Sequence, residues 1–396
     1  MLRTAAFAAL LLATPAAAKT ITVEAGPNAQ QRLQAALIEA APGDIVQIGA
    51  GRFELTDGLS LDVDRVTVRG MGADKTVLSF KGQLGAGEGL LVTSDDVVLR
   101  GFAVEDSKGD GIKSKGADRI VYKDLRVEWT GGPKATNGAY GVYPVESSDI
   151  LIDGVTVKGA SDAGIYVGQS DRIIVRNSTV QFNVAGIEIE NSGHAEVRDN
   201  LATHNTGGIL VFDLPGLPKR GAGHVMVTQN RVVDNDSPNF APRGNIVASV
   251  PTGTGVLVMA QDMVQVVGNE LSGNGTANVM VASYRQPFDD KGYDPTPHHI
   301  YVTGNQHGRA GYAPAMPGGA MLAAAMGGSI PPVLWDGTGG DAVGLLVNDK
   351  VPVLSLGLAL GAPVETAKPQ PAQLAGNPIA MLAPIGLPAS MEAAAK

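Results

Sequence analysis

A lysine, two tyrosines and a glutamate follow four successive Gly-aliphatic pairs in this chain. Gly111-Ile112, Gly141-Val142, Gly164-Ile165 and Gly186-Ile187 precede Lys113, Tyr143, Tyr166 and Glu188, and the next pairs precede Leu210 and Leu257. Two residues further on stand Lys115, Val145, Gly168, Glu190, Phe212 and Met259. In a strand the residue after an inward aliphatic points outward, and equivalent places in stacked strands lie about 4.8 Å apart. The series therefore predicts a surface column that is polar and aromatic at one end and apolar at the other. Its polar part spans about 15 Å, a length suited to a few sugar units, and aromatic rings offer apolar faces to pyranoses.

Proton abstraction beside a uronate carboxyl needs a cation to neutralise that carboxyl, a base, and a proton donor on the correct face. Lys113 or Lys115 supplies the first, Glu188 the second, and Tyr143 or Tyr166 the third. Lys108, Lys115, Tyr140 and Glu190 are the expected substrate-binding neighbours. A solvated sheet face with cross-coil Lys, Tyr and Glu contacts accounts for the same column without any ligand. Glu188 and Glu190 would lie about 6.6 Å apart, near the lower limit for an inverting glycosidase pair, but side by side rather than flanking a bond, which disfavours hydrolysis.

The elements that must position these residues are legible in the same periodicity. Counting from Gly89-Leu90, the pairs are spaced 22, 30, 23, 22, 22 and 47 residues. The interval of 30 reads as one coil with an insertion, and that of 47 as two coils with an excursion. Each coil has a Gly-aliphatic strand, a polar turn, a second strand such as Ile150-Leu151-Ile152 or Ile173-Ile174-Val175, and a short third one such as Val155-Thr156-Val157. Three short strands per turn predict an all-β, parallel β-helix solenoid.

Leu33, Ala36, Leu37 and Ala40 repeat at helical spacing before Pro42-Gly43, which predicts a helix over 30–41 capping the open end of the stack. Asn183, Asn205 and Asn274 occupy matching places and predict a structural amide ladder. Two excursions, 214–220 and 284–298, are expected as loops on one face. Beyond about residue 310 the period is lost, so 19–310 is read as the β-helix and 311–396 as a capping region with a partly mobile Ala- and Pro-rich tail.

Composition narrows the setting. Residues 1–18 read as a secretory signal, with Arg3, an apolar run over 5–13 and Ala16-Ala17-Ala18 as the cleavage site, which predicts a periplasmic or secreted protein without membrane insertion. The absence of cysteine excludes disulfides, covalent c-type haem attachment and thiolate zinc sites. A formal net charge of −9 argues against nucleic acid as a partner. Residues 100–134 are locally basic, although a solvated surface explains that window too. Asp289, Asp290 and Asp294 leave calcium open as a cation, whereas the adjacent His298 and His299 point to opposite faces of an extended segment and predict no shared transition metal.

From its capping helix and Pro42-Gly43-Asp44-Ile45-Val46 onward, the chain resembles right-handed parallel β-helix proteins, the group that includes pectate lyases and alginate-modifying enzymes, over roughly residues 20–310. The stretches 138–146 and 159–168 resemble a family of secreted bacterial β-helix proteins, and that resemblance implies a c-type cytochrome as a candidate partner. Tyr140-Gly141-Val142-Tyr143-Pro144-Val145-Glu146 is similar to the Tyr-Gly-x-Asp-Pro-His-acid segment of mannuronan C5-epimerases, with Tyr143 and Val145 in place of the acid and the histidine. Lys108-Gly109-Asp110-Gly111 is similar to a Lys-x-Asp-Gly of the same enzymes. The resemblance implies an acidic polysaccharide as ligand, with lyase or epimerase chemistry, or non-catalytic binding and scaffolding as the alternative.

Overall fold

The computed structural model describes residues 18–85, 87–220, 223–374 and 380–396. Residues 1–17 of the expected signal segment, its apolar run included, lie outside them. Among the described residues no helix is long and apolar enough to cross a membrane.

The chain winds into a stack in which each full coil gives one strand to each of three sheets of 12, 12 and 10 strands. A representative coil runs through Ala163–Gly168, Asp171–Arg176 and Thr179–Gln181, and the next begins at Ala185–Glu190. Pairing from coil to coil is parallel and in register, with Ile165 opposite Ile187 and Ile173 opposite Ala195. Inward positions are β-branched or small: Ile165, Val167, Ile187, Ile189, Ile209 and Val211 are fully buried in one continuous core. These branched side chains suit a pleated surface buried on its inner face.

Each turn between the second and third strands needs one left-handed residue. Asp124, Gly154, Asn177, Asp199, Gln229, Gly268 and Gly304 take that place with φ between 51° and 70°. Asn, Asp and Gly tolerate this conformation best, which explains the polar punctuation of the sequence. Two amide ladders run through the interior, the first at the turns that follow the third strands and the second at the turns just described. Asn183, Asn205, Asn235 and Asn274 form one, each Nδ2 of the first three donating to the next Oδ1 at 3.0–3.1 Å. Asn200, Asn230, Asn269 and Asn305 form the other, and Asp349 ends it by accepting from Asn305 at 2.9 Å.

The helix Ala29–Glu39 lays Ala29, Leu33, Ala36 and Leu37 over the first coils and closes that end. Three features differ from the sequence-based expectation. The 47-residue interval is a single coil: Gly207–Phe212 pairs directly with Thr254–Met259, and Asn235 is the rung between Asn205 and Asn274. Its extra length is two insertions, 213–222 and 236–253. The stack also continues past residue 310, because Val333–Trp335 and Val353–Ser355 extend the Gly-aliphatic sheet and Leu346–Val347 the second sheet. These strands lack the Gly-aliphatic signature, so the period was invisible there.

The last segment, expected to be partly mobile, is docked. It runs back along the outer face of the second sheet, where the Gln265 side chain bonds Ala380 O and Leu382 N at 2.8 and 3.0 Å. Its terminal helix Ala389–Ala394 buries Met391 against Val121, Leu151 and Ile174. Arg176 grips Glu392 with two hydrogen bonds of 3.0 and 2.8 Å.

Candidate functional site

The outer face of the Gly-aliphatic sheet carries the column, and its register follows from the glycines. An ideal Cβ on Gly164 would sit 2.9 Å from Gly186 O and 2.8 Å from Asn183 Nδ2, so only glycine lets the coils approach at this line. Ile112 lies opposite Val142 and Lys113 opposite Tyr143; Tyr166 lies opposite Glu188, and Glu188 opposite Leu210.

Three tyrosines make the centre. The ring centroids of Tyr140, Tyr143 and Tyr166 are 4.4–4.8 Å from one another, with Tyr143 edge-on to Tyr166. Lys113 Nζ stands 4.9 Å from the Tyr143 centroid, 3.2 Å from Glu88 Oε1 and 3.9 Å from Asp110 Oδ2. Asp110 in turn accepts the backbone N–H of Tyr140 at 3.2 Å. Lys113, Glu88, Asp110, Tyr140 and Tyr143 are half-buried and form the open end of the site. Lys115 projects to solvent and pairs with Glu146 at 3.6 Å, and Lys108 donates to Leu84 O at 3.2 Å on a neighbouring turn.

The other end of the column is covered, which corrects the expectation of an open groove along all four coils. Tyr166, Glu188 and Glu190 are only 4, 1 and 7 % exposed. The insertion 236–253 lies across them: Val247 and Val250 join Ala163, Tyr166, Ala185 and Leu210 in one apolar cluster, and Asn245 donates to Asp162 Oδ2 at 2.9 Å. Reading the 47-residue interval as two coils hid this cover, since no segment of sufficient length then remained to fold back over the sheet.

Burial controls the electrostatics. The Tyr166 hydroxyl donates to Glu190 Oε1 at 2.8 Å, while Glu188 Oε1 and Asp162 Oδ1 are buried without a hydrogen-bond partner. Desolvation pushes Asp162 and Glu190 up to about 7, against the hydrogen bonds from Asn245 and Tyr166. Glu188 moves well upward for the same reason, with the charges of Asp162 and Glu190 adding to it. Asp110, nearer solvent and opposed by the Lys113 charge, is raised to about 6. Tyr143 is pushed up to about 12 and stays a neutral donor, as do Tyr140 and Tyr166, which burial shifts further. The set can thus offer an ionised carboxylate at the open end, neutral phenols beside it and stored protons behind.

Asp162, Glu88 and Asn245 escaped the sequence reading. Asp110 directly precedes Gly111-Ile112 and Asp162 stands two residues before Gly164-Ile165, and that closeness to the Gly-aliphatic pairs was the available signal. His298 and His299 have separate acidic partners, Asp294 at 2.9 Å and Asp262 at 2.7 Å. Among the described residues no group of three or more His, Cys, Asp or Glu is placed to hold a metal ion.

Comparison with known proteins agrees with this architecture. Residues 58–214 and 135–305 match the family described as right handed beta helix region. Comparison with curated proteins finds no match by sequence. Among solved structures, the A-module of the Azotobacter vinelandii mannuronan C-5 epimerase AlgE6 superposes with a TM-score of 0.55 at 16 % identity, covering 85 % of this chain and 95 % of that one. The corresponding AlgE4 module gives 0.54 at 14 % identity, covering 74 % and 87 %. At these identities the likeness is one of fold.

Proposed function

The chain belongs to the right-handed β-helix family, and from that premise we propose that it is exported and binds an acidic polysaccharide across the open end of the Gly-aliphatic face, modifying it by lyase or epimerase chemistry. The observation that carries this reading is the cluster of Lys113, Asp110 and Tyr143. A half-accessible ammonium lies within 4 Å of a carboxylate raised to about 6 and beside a neutral phenol.

In this reading Lys113 displaces Glu88 and neutralises the uronate carboxyl, Asp110 takes the proton from the adjacent carbon, and the C–H electron pair enters the carboxyl as an enolate. Tyr143 then returns a proton to the opposite face in epimerisation, or protonates the departing glycosidic oxygen in elimination. Asp110 replaces Glu188 as the base because Glu188 is buried, at 1 % exposure. Lys108, Lys115 and Tyr140 extend the binding surface, and Tyr166, Glu188 and Glu190 form a buried proton store.

The test is incubation with polyuronates, with absorbance read for unsaturated uronates and proton NMR for inversion at the carbon beside the carboxyl. Product that is lost in both Asp110→Asn and Lys113→Ala supports the assignment. Wild-type protein that binds a glycan and forms no product removes the enzyme reading.

Non-catalytic binding or scaffolding, with a c-type cytochrome as partner class, is the second reading, and Glu88 favours it. Together with Asp110 and Glu146 it balances the three lysines of the open end, so the surface attracts a polyanion weakly. The absence of an acid or histidine at Tyr143 and Val145 points the same way.

A further inference from the structure

Beyond Glu188 and Glu190 the same outer face turns apolar and opens again. A cavity of about 370 Å³ runs over the strands of Leu210, Leu257, Met280 and Leu334, between Val250 of the insertion and Leu356. Its lining is mostly apolar, with charged residues at one end. Arg285, Ser283 and Asp336 line one end. Asp336 already accepts the backbone N–H groups of Ser283 and Thr338 at 2.8 and 2.9 Å, and its nearest approach to Arg285 is 4.0 Å, too long for a hydrogen bond. Arg285 Nη1 and Ser283 Oγ are buried without hydrogen-bond partners, and Ser283 is 2 % exposed.

Arg285 keeps the ion pair with Asp336 but no hydrogen bond at Nη1, and a buried donor or hydroxyl without a hydrogen bond is unfavourable. A guanidinium prefers a planar anion that takes two of its hydrogens. The remaining lining is predominantly apolar, which suits an alkyl chain. We propose that this cavity binds a long-chain aliphatic carboxylate, its head group on the guanidinium of Arg285, whose side chain keeps 24 % exposure, and its alkyl chain over Met280, Leu257 and Leu210. The inference is independent of the polysaccharide reading, since it uses none of the residues of the open end.

The experiment is calorimetric titration of the full chain with palmitate, with hexadecanol as an uncharged chain of equal length and acetate as the head group alone. Palmitate is expected to bind one per chain, with acetate silent and hexadecanol at least ~10-fold weaker. Arg285→Met should reduce palmitate affinity to the hexadecanol level, and Met280→Trp, which fills the cavity, should abolish binding of both. Thermal unfolding of each variant without ligand verifies the fold. Equal affinity for palmitate and hexadecanol, or palmitate binding that survives both substitutions, overturns the proposal. So does adsorption to anionic phospholipid vesicles that free palmitate does not displace, or a dimer that Met280→Trp dissociates, because membrane lipid or a second copy would then be the occupant.

Discussion

The phenol of Tyr166 donates a 2.8 Å hydrogen bond to Glu190 Oε1 in a place where both side chains are buried. Since the hydrogen bond favours the ionised carboxylate and Glu190 is nevertheless raised to about 7, desolvation wins. Asp162 and Glu188 share that sense. A carboxyl whose pKa is higher folded than unfolded holds its proton while the unfolded chain releases one. Its stabilising contribution is therefore complete below about pH 4 and disappears as pH rises through the folded value near 7. Stability should fall between pH 4 and 8 by an amount on the order of 3 kcal/mol. Denaturant midpoints across that range check this. Glu188→Gln, which mimics the protonated form, should flatten the profile and raise stability at pH 8.

The open end should behave differently. Lys113→Ala and Asp110→Asn are expected to leave the unfolding midpoint within about 0.5–1 kcal/mol of wild type, because their ion pairs are partly exposed. Turnover of a polyuronate should drop by about 100-fold or more in each, the scale of a lost acid, base or electrostatic group. Turnover should also rise with pH through about 6, as Asp110 ionises. Activity retained by Asp110→Asn would return the base to another residue.

The amide ladder predicts a stability defect with no effect on ligands. Asn205 Oδ1 accepts both the backbone N–H and the Nδ2 of Asn183, and its own Nδ2 donates to Val180 O and Asn235 Oδ1. Asn205→Ala strands buried donors on Asn183 and should cost about 2–4 kcal/mol by chemical denaturation. An unchanged midpoint would mean that water replaces the rung.

Gly186 tests the coil contact. A Cβ there would meet Val180 Cγ2 at 2.9 Å and Asn205 Nδ2 at 3.0 Å, with Gly208 O closer still, while its backbone is not in the left-handed region. Gly186→Val should therefore act by crowding and lose roughly 1–3 kcal/mol, more if the neighbouring coil cannot shift.

The docked C-terminal helix is the last test. Met391→Asp places a charge against Val121, Leu151 and Ile174, and should detach the segment at a loss of about 2 kcal/mol. Hydrogen exchange should then rise at the strands Ile120–Lys123 and Ser148–Asp153 and stay unchanged at the tyrosine cluster.

Much of this molecule can be read along the chain, because a stacked coil converts sequence period directly into spatial neighbourhood. Gly164 and Gly186 lie 22 residues apart in sequence and one strand spacing apart in space, so the register of Tyr166 on Glu188 follows from counting. The capping helix, the Asn183–Asn205 contact and the outward direction of Lys113 are local consequences of the same kind.

What broke the period was beyond that reading. The insertion 236–253 has no periodic partner, so only tertiary packing decided that Val247 and Val250 would join the cluster of Tyr166 and Leu210 and that Asn245 would reach Asp162. The return of the tail to Arg176 joins residues 216 positions apart and leaves no local signal. The sequence by itself determined the solenoid, its inward and outward faces and which side chains share a column. Tertiary structure alone decided which of them meet water, and hence their charge, because desolvation depends on everything packed around a group and not on its place in a repeat.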